Sequence, residues 1–124
     1  MTVSRPLFSQ IRVGKMTENI LDLKQKVEFS SHKIVKKDLL DAGCFNIALI
    51  CMETGQEIPP HPEGYDVVFY VLDGEGVITI GGEQIKVDQG SMIFSPKEEN
   101  RGIKSLKRLS ILGIRESVRE KAED

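Results

Sequence analysis

The sequence predicts an all-β protein built as an antiparallel sandwich or barrel. At 124 residues it has the length of one domain. Short runs of aliphatic and aromatic residues recur along the chain and are separated by glycine and proline. Between two of these runs stand Gly81 and Gly82. Paired glycines are typical of a two-residue hairpin turn because glycine adopts positive φ angles readily.

The individual elements follow in order along the chain. Residues 20–27 are compatible with a helical turn or with the start of a strand. The predicted strands cover residues 27–31, 33–40, 45–52, 66–72, 77–80, 83–87, 92–94 and 107–114. We divide the single domain into an N-terminal arm with the first strands (1–35), a barrel (36–114) and a charged C-terminal tail (115–124).

The composition excludes several classes of protein. Hydrophobic residues make up 40% of the chain and charged residues 29%, as in ordinary globular proteins. The net charge of −2 gives no electrostatic reason to expect a nucleic-acid partner. No apolar run is long enough to cross a membrane. Cys44 and Cys51 fit no zinc motif, so we expect two reduced, buried thiols in a cytoplasmic protein.

The spacing of glycine, proline and histidine between residues 55 and 105 carries a family resemblance. The positions concerned are Gly55, Pro60, His61, Gly74, Gly90 and Pro96. Together they resemble the two sequence motifs of the cupins, small β-barrel proteins, and the resemblance extends over residues 45–114. It implies an antiparallel jelly-roll barrel, or double-stranded β-helix. It also implies a divalent transition metal held by inward-facing histidines and a carboxylate.

Most metal-ligand positions of the cupin motifs are occupied by other residues here. His61 matches the first histidine, while Glu63 stands at the second. Val67 takes the place of the glutamate, and Arg101 takes that of the last histidine, five residues after Pro96. A guanidinium stays charged and is not a metal ligand. The resemblance thus implies a degenerate site with no tightly bound cofactor; any metal would depend on His61 and Glu63.

Arg101 is the substitution with the largest chemical consequence. We expect its positive charge to act where the metal acts in other cupins. It would then pair with Glu63 or Asp66, or receive the carboxylate or phosphate of a ligand. The alternative is that its side chain extends into solvent. Strand alternation places Asp66 on the face opposite Val67 unless the preceding loop bulges.

Three functions are compatible with these residues. The first is binding of a small anionic molecule through Arg101 and His61, with Glu63 and Asp66 nearby. The second is an enzyme, using either a non-standard metal site at His61 and Glu63 or metal-free acid–base chemistry by His61. In the metal-free form Asp66 would orient the histidine and Tyr65 or Tyr70 would supply a phenol, an arrangement similar to that of deoxysugar epimerases. The third is a dimeric interaction protein with a filled barrel.

Two further expectations concern the interior and the partner. By strand parity Val67, Phe69 and Val71 point inward, and this apolar lining favours the first or third function over metal chemistry. Small cupins are commonly homodimers, so the resemblance implies one here. In such a dimer the arm at 1–35 would cover an open sheet edge of the partner.

Overall fold

The computed structural model describes residues 20–117 as an antiparallel β-structure with one short helix. The helix α1 spans Leu23–Lys26, and its N-cap Asp22 accepts a hydrogen bond from the Lys24 amide. The strands are β1 (Val35–Asp41), β2 (Phe45–Met52), β3 (Glu57–Pro62), β4 (Val67–Ile80), β5 (Glu83–Asp88), β6 (Met92–Ser95) and β7 (Asn100–Glu116). The predicted all-β fold is therefore confirmed.

Two long strands, β4 and β7, take part in both layers of the barrel. The second half of β7 pairs with β2 and with the first half of β4, so that one layer has the order β1-β2-β7-β4-β6. The first half of β7 pairs with β3 and with the second half of β4, so that the other layer has the order β3-β7-β4-β5. Both long strands change layer between these halves, as in a double-stranded β-helix.

The change of layer occurs at a run of irregular pairing in β4. The register between β4 and β7 shifts between Val71 and Gly76. Gly74 lies at the centre of this run with φ of 97°, a backbone conformation that favours glycine. The sequence predicted two strands separated by a turn at this point. That prediction was wrong, because the glycines bend the strand without ending its pairing.

The core lies between the two layers. Its fully buried members include Met52, Val71, Ile78, Leu109 and Ile111. Val67 and Phe69 are also buried, so the predicted inward orientation of alternate β4 residues is confirmed. Gly81 and Gly82 connect β4 to β5, as the hairpin prediction required.

Several other element predictions were incomplete. Residues 27–31 form no strand, and α1 precedes them. The strand β3 was not predicted because it contains Pro59 and Pro60. It tolerates them because, among residues 20–117, it pairs only with β7 and has an irregular register there. The strand β7 continues through Arg115 and Glu116, beyond the predicted barrel boundary at 114.

The two cysteines differ in environment. Both are free thiols; Cys51 is buried, whereas Cys44 lies exposed in the turn before β2. The expectation of two buried thiols was therefore wrong for Cys44. Residues 1–19 of the predicted arm (1–35) and residues 118–124 of the predicted tail (115–124) lie outside the described residues.

Candidate functional site

A cavity of about 340 Å³ opens between the two layers of the barrel. Its apolar wall is formed mainly by Ala48, Ile50, Val67, Phe69, Ile103 and Gly113. Charged or titratable side chains also line it: Lys36, Asp38, Asp41, His61, Glu63, Arg101 and Arg115. The interior is therefore not filled, contrary to the third of the predicted functions.

Arg101 is buried at the wall of this cavity, with 5% of its surface exposed. It lies on β7, paired with His61 on β3 and with Ile80 on β4. Its Nε donates a hydrogen bond to the Ser95 hydroxyl over 3.0 Å. Its Nη2 donates to the carbonyls of Tyr65, Ser95 and Pro96 at 2.7, 3.2 and 3.2 Å. The alternative prediction that Arg101 extends into solvent is thus wrong.

The Arg101 guanidinium has neither a carboxylate partner nor a full set of acceptors within residues 20–117. Neither Glu63 nor Asp66 forms an ion pair with it, and all of its protein acceptors are neutral. Nη1 donates to no residue in 20–117. Within that part of the chain it thus has two N–H groups without an acceptor, on a side chain that lines the cavity.

His61 and Glu63 form a hydrogen-bonded pair beside Arg101. His61 Nδ1 donates to the Pro59 carbonyl at 2.9 Å, and Nε2 meets Glu63 Oε2 at 2.5 Å. The Pro59 carbonyl and the Glu63 carboxylate both raise the pKa of His61, with Pro59 the larger cause, while Arg101 lowers it to a smaller extent. This arrangement favours the imidazolium form, in which neither ring nitrogen has a free lone pair.

Asp66 lies apart from the other predicted site residues. Its Oδ1 accepts a hydrogen bond from the Lys97 amide at 2.8 Å, and the residue does not line the cavity. The structure therefore brings His61, Glu63 and Arg101 together but does not bring Asp66 to His61. Of the two candidate phenols, Tyr65 lines the cavity, whereas Tyr70 is exposed on the outer face of β4.

Arg115 is a site residue that was not predicted from the sequence. It lines the cavity, and its Cζ lies 4.4 Å from the centre of the Tyr65 ring. The Cζ of Arg101 lies 5.1 Å from the same ring centre. The available signal was alternation along β7, because Arg115 is two residues from Gly113 and shares its face. Ending the predicted barrel at 114 assigned Arg115 to the charged tail instead.

The residues of the cavity do not fit the metal ion that cupin motifs imply. Val67 offers no donor atom, and Arg101 introduces a buried positive charge where a ligand would stand. Both nitrogens of His61 are already hydrogen bonded. The remaining metal ligand would be the Glu63 carboxylate, which is itself paired with His61. Within residues 20–117 no three His, Cys, Asp or Glu side chains are grouped so that they could hold a metal ion.

Comparison with known proteins identifies the family. Residues 48–111, just over half of the 124, match the family model of the cupin domain. The chain belongs to the cupin family. Against curated protein sequences, no match was found for this cupin.

Solved structures share the fold of this cupin. The TT1209 protein of Thermus thermophilus is 26% identical, with a TM-score of 0.73, over 78% of this chain and 95% of that one. The SPY1581 protein of Streptococcus pyogenes, of unknown function, is 24% identical, with a TM-score of 0.72, over 82% and 89% of the two chains. KdgF from a Halomonas species is 16% identical, with a TM-score of 0.69, over 79% and 93%.

Within residues 20–117, no helix combines the length and the apolar character that spanning a membrane requires.

Proposed function

We propose that this cupin binds a small anionic molecule in its cavity, without a tightly bound metal. The observation that carries the proposal is the buried guanidinium of Arg101, which has no carboxylate partner in the described part of the chain. Burying an unpaired ion costs several kcal/mol even after the protein relaxes. The carbonyl and hydroxyl acceptors offset part of that cost, and an anion at Nη1 would offset more.

The enzyme alternatives have less support. A metal site at His61 and Glu63, or a general base at His61, needs a free lone pair on the imidazole. In the structure both ring nitrogens are engaged, by Pro59 and Glu63. Asp66, the residue that would orient His61 as a base, instead accepts a hydrogen bond from Lys97.

The two free thiols, Cys44 and Cys51, suit a protein of the reducing cytoplasm.

A titration with simple anions tests the proposal. Acetate, benzoate and inorganic phosphate are added separately near pH 7, and the melting temperature is recorded. We expect at least one of them to raise it by about 5 °C at ten times its dissociation constant, because selective binding then adds about 1.4 kcal/mol. Neutral benzamide serves as the control and leaves the melting temperature unchanged.

Two variants separate the cavity arginine from a general charge effect. Arg101→Gln should abolish the anion-dependent increase, whereas Arg108→Gln removes an equal charge from an exposed position and should keep it. Each variant is compared with its own melting temperature in buffer, because Arg101→Gln also breaks internal hydrogen bonds. An increase that persists in Arg101→Gln would contradict the proposal.

The absence of a tight metal site has a test of its own. Protein purified without chelator should contain well under one transition metal per chain by elemental analysis. Arg101→His should raise metal affinity, because it restores an imidazole at a ligand position and removes a repelling charge. A wild-type protein with near-stoichiometric metal would overturn this part of the proposal.

A further inference from the structure

Arg101 and Arg115 both line the cavity, and together they indicate which kind of anion it would accept. Both guanidinium groups pack near the ring of Tyr65, with Cζ distances of 4.4 and 5.1 Å to its centre. Arg115 is half-buried, and its side chain forms no hydrogen bond or ion pair with any residue in 20–117. Two guanidinium groups with donors that residues 20–117 do not use therefore line the same cavity.

We propose, on the basis of the anion-binding function above, that the ligand is a monocarboxylate with a compact apolar body. Its carboxylate would be held jointly by Arg101 and Arg115. Two like charges beside one ring repel each other, and an anion between them replaces that repulsion with two attractions. A carboxylate has two oxygens and can accept from both guanidinium groups at once. Tyr65 fixes the two side chains by stacking against them.

The apolar wall indicates the rest of the ligand. Ala48, Ile50, Phe69 and Ile103 line the same cavity as the two arginines. A cavity of about 340 Å³ is at the lower end of the range for small-molecule sites, so the body must be compact. Phosphate or sulfate would leave this surface uncovered, whereas a hydrocarbon body would gain from burial there.

The acidic side of the cavity argues against a second anionic group. Asp38 and Asp41 line the cavity from β1, with Lys36 also on that strand. Lys36 offsets one of these two carboxylates, which leaves this side with a net negative charge. Glu63 is paired with His61 and adds no net charge when the imidazole is protonated. A dicarboxylate would therefore bring its second charge towards the acidic strand, and a monocarboxylate would not.

Isothermal titration calorimetry near pH 7 tests this ligand class with four probes. Benzoate is a monocarboxylate with an apolar body, acetate lacks the body, succinate adds a second charge and inorganic phosphate lacks both carboxylate and body. We expect benzoate to bind at least about tenfold more tightly than the other three, because only benzoate satisfies both the arginines and the wall. Tighter binding of phosphate or succinate would overturn the ligand class while leaving anion binding in place.

Variants of Arg115 test its assigned role with the same benzoate probe. Arg115→Gln should weaken benzoate binding about tenfold, and Arg115→Lys should weaken it less because the charge remains without the planar fork. Arg108→Gln is the matched control, since Arg108 also stacks on an aromatic ring, that of Phe29 at 4.9 Å, but lies outside the cavity. It should leave benzoate affinity unchanged.

The outcomes separate this inference from the proposed function. Unchanged benzoate affinity in both Arg115 variants would overturn the assignment of Arg115. Failure of all four anions to bind would overturn the proposed function together with this inference. Circular dichroism of each variant before titration establishes that it is folded. If Arg115→Gln does not fold, the test uses Arg115→Lys.

Discussion

At the scale of single residues, the site is organised by two positive groups with different roles. Arg101 is held by neutral acceptors, and its Nη1 has no acceptor among residues 20–117. His61 uses both ring nitrogens for contacts within β3 and the following turn. The first arrangement favours binding of an anion, and the second favours a fixed imidazolium. The residue that resembles a cupin ligand is thus less available for chemistry than the residue that replaces one.

The raised pKa of His61 leads to a prediction about pH. Because its pKa in the folded protein lies above the unfolded value of about 6.5, His61 stabilises the fold fully below that value. This contribution is lost as the pH rises through the folded pKa. Glu63→Gln removes the carboxylate charge that helps to raise the pKa, so the pKa of His61 should fall while the Pro59 contact keeps part of the effect.

Histidine NMR titration checks this prediction. The chain has two histidines, His32 and His61, and a His32→Gln variant assigns the two signals. Measurement of the His61 signal in wild type and Glu63→Gln gives the pKa difference directly. An identical pKa in the two proteins would show that the His61–Glu63 contact is absent in solution.

At the scale of the elements, the bend of β4 is what creates two layers from one pair of long strands. Its centre is Gly74, where an added Cβ would lie 1.8 Å from the Arg108 carbonyl oxygen on β7. The positive φ of Gly74 and this close approach both require glycine. Arg101 lies in the first half of β7 and Arg115 in the second half. Because β7 changes layer between these halves, the two arginines lie in different layers around one cavity.

Alanine substitution of glycines tests the importance of the bend. Gly74→Ala should reduce the free energy of unfolding by about 3 kcal/mol or more, because a non-glycine φ is strained and the backbone of β7 must move. Gly82→Ala is the matched control; its Cβ would meet nothing within 4 Å, and the change should stay within about 0.5 kcal/mol. Urea denaturation measures both. Equal stability of the two variants would show that the bend tolerates a side chain.

At the scale of the whole molecule, the outer face of one layer is apolar. Two rows of paired residues cross β6, β4 and β7, namely Phe94–Val68–Ile114 and Met92–Tyr70–Leu112. Met92 and Phe94 are 68% and 57% exposed, and within the described range 20–117 β6 pairs only with β4. An exposed apolar face beside an open strand edge is typical of an interaction surface. We therefore propose that the predicted homodimer forms through this face.

Sedimentation velocity tests the homodimer. Wild-type protein should sediment as a dimer, and Met92→Glu should shift it to monomer because the new charge would be buried at the interface. Leu106→Glu is the control, since Leu106 is also exposed but does not belong to either row. A monomeric wild type at micromolar concentration would contradict the prediction.

The sequence was sufficient for the fold but only partly for the site. Glycines and prolines at motif spacing, and alternation along β4, follow from local backbone and side-chain rules, and they predicted the barrel and the inward Val67 and Phe69 correctly. Arg115 and the acidic residues of β1 were missed because no local pattern says that distant strands share a cavity. Asp66 was grouped with His61 on proximity in sequence, and its contact with Lys97 shows how little such proximity implies.

The sequence by itself determined that this protein is a cupin whose metal-ligand positions are largely replaced. That much depends on residue identities and spacing, which are local properties. Only the tertiary structure decided that Arg101 is buried rather than solvated, and that Arg115 joins it beside Tyr65. The direction of a long, charged side chain depends on acceptors that lie outside its own strand. For Arg101 these are the Ser95 hydroxyl and the carbonyls of Tyr65, Ser95 and Pro96, which only the closed barrel brings together.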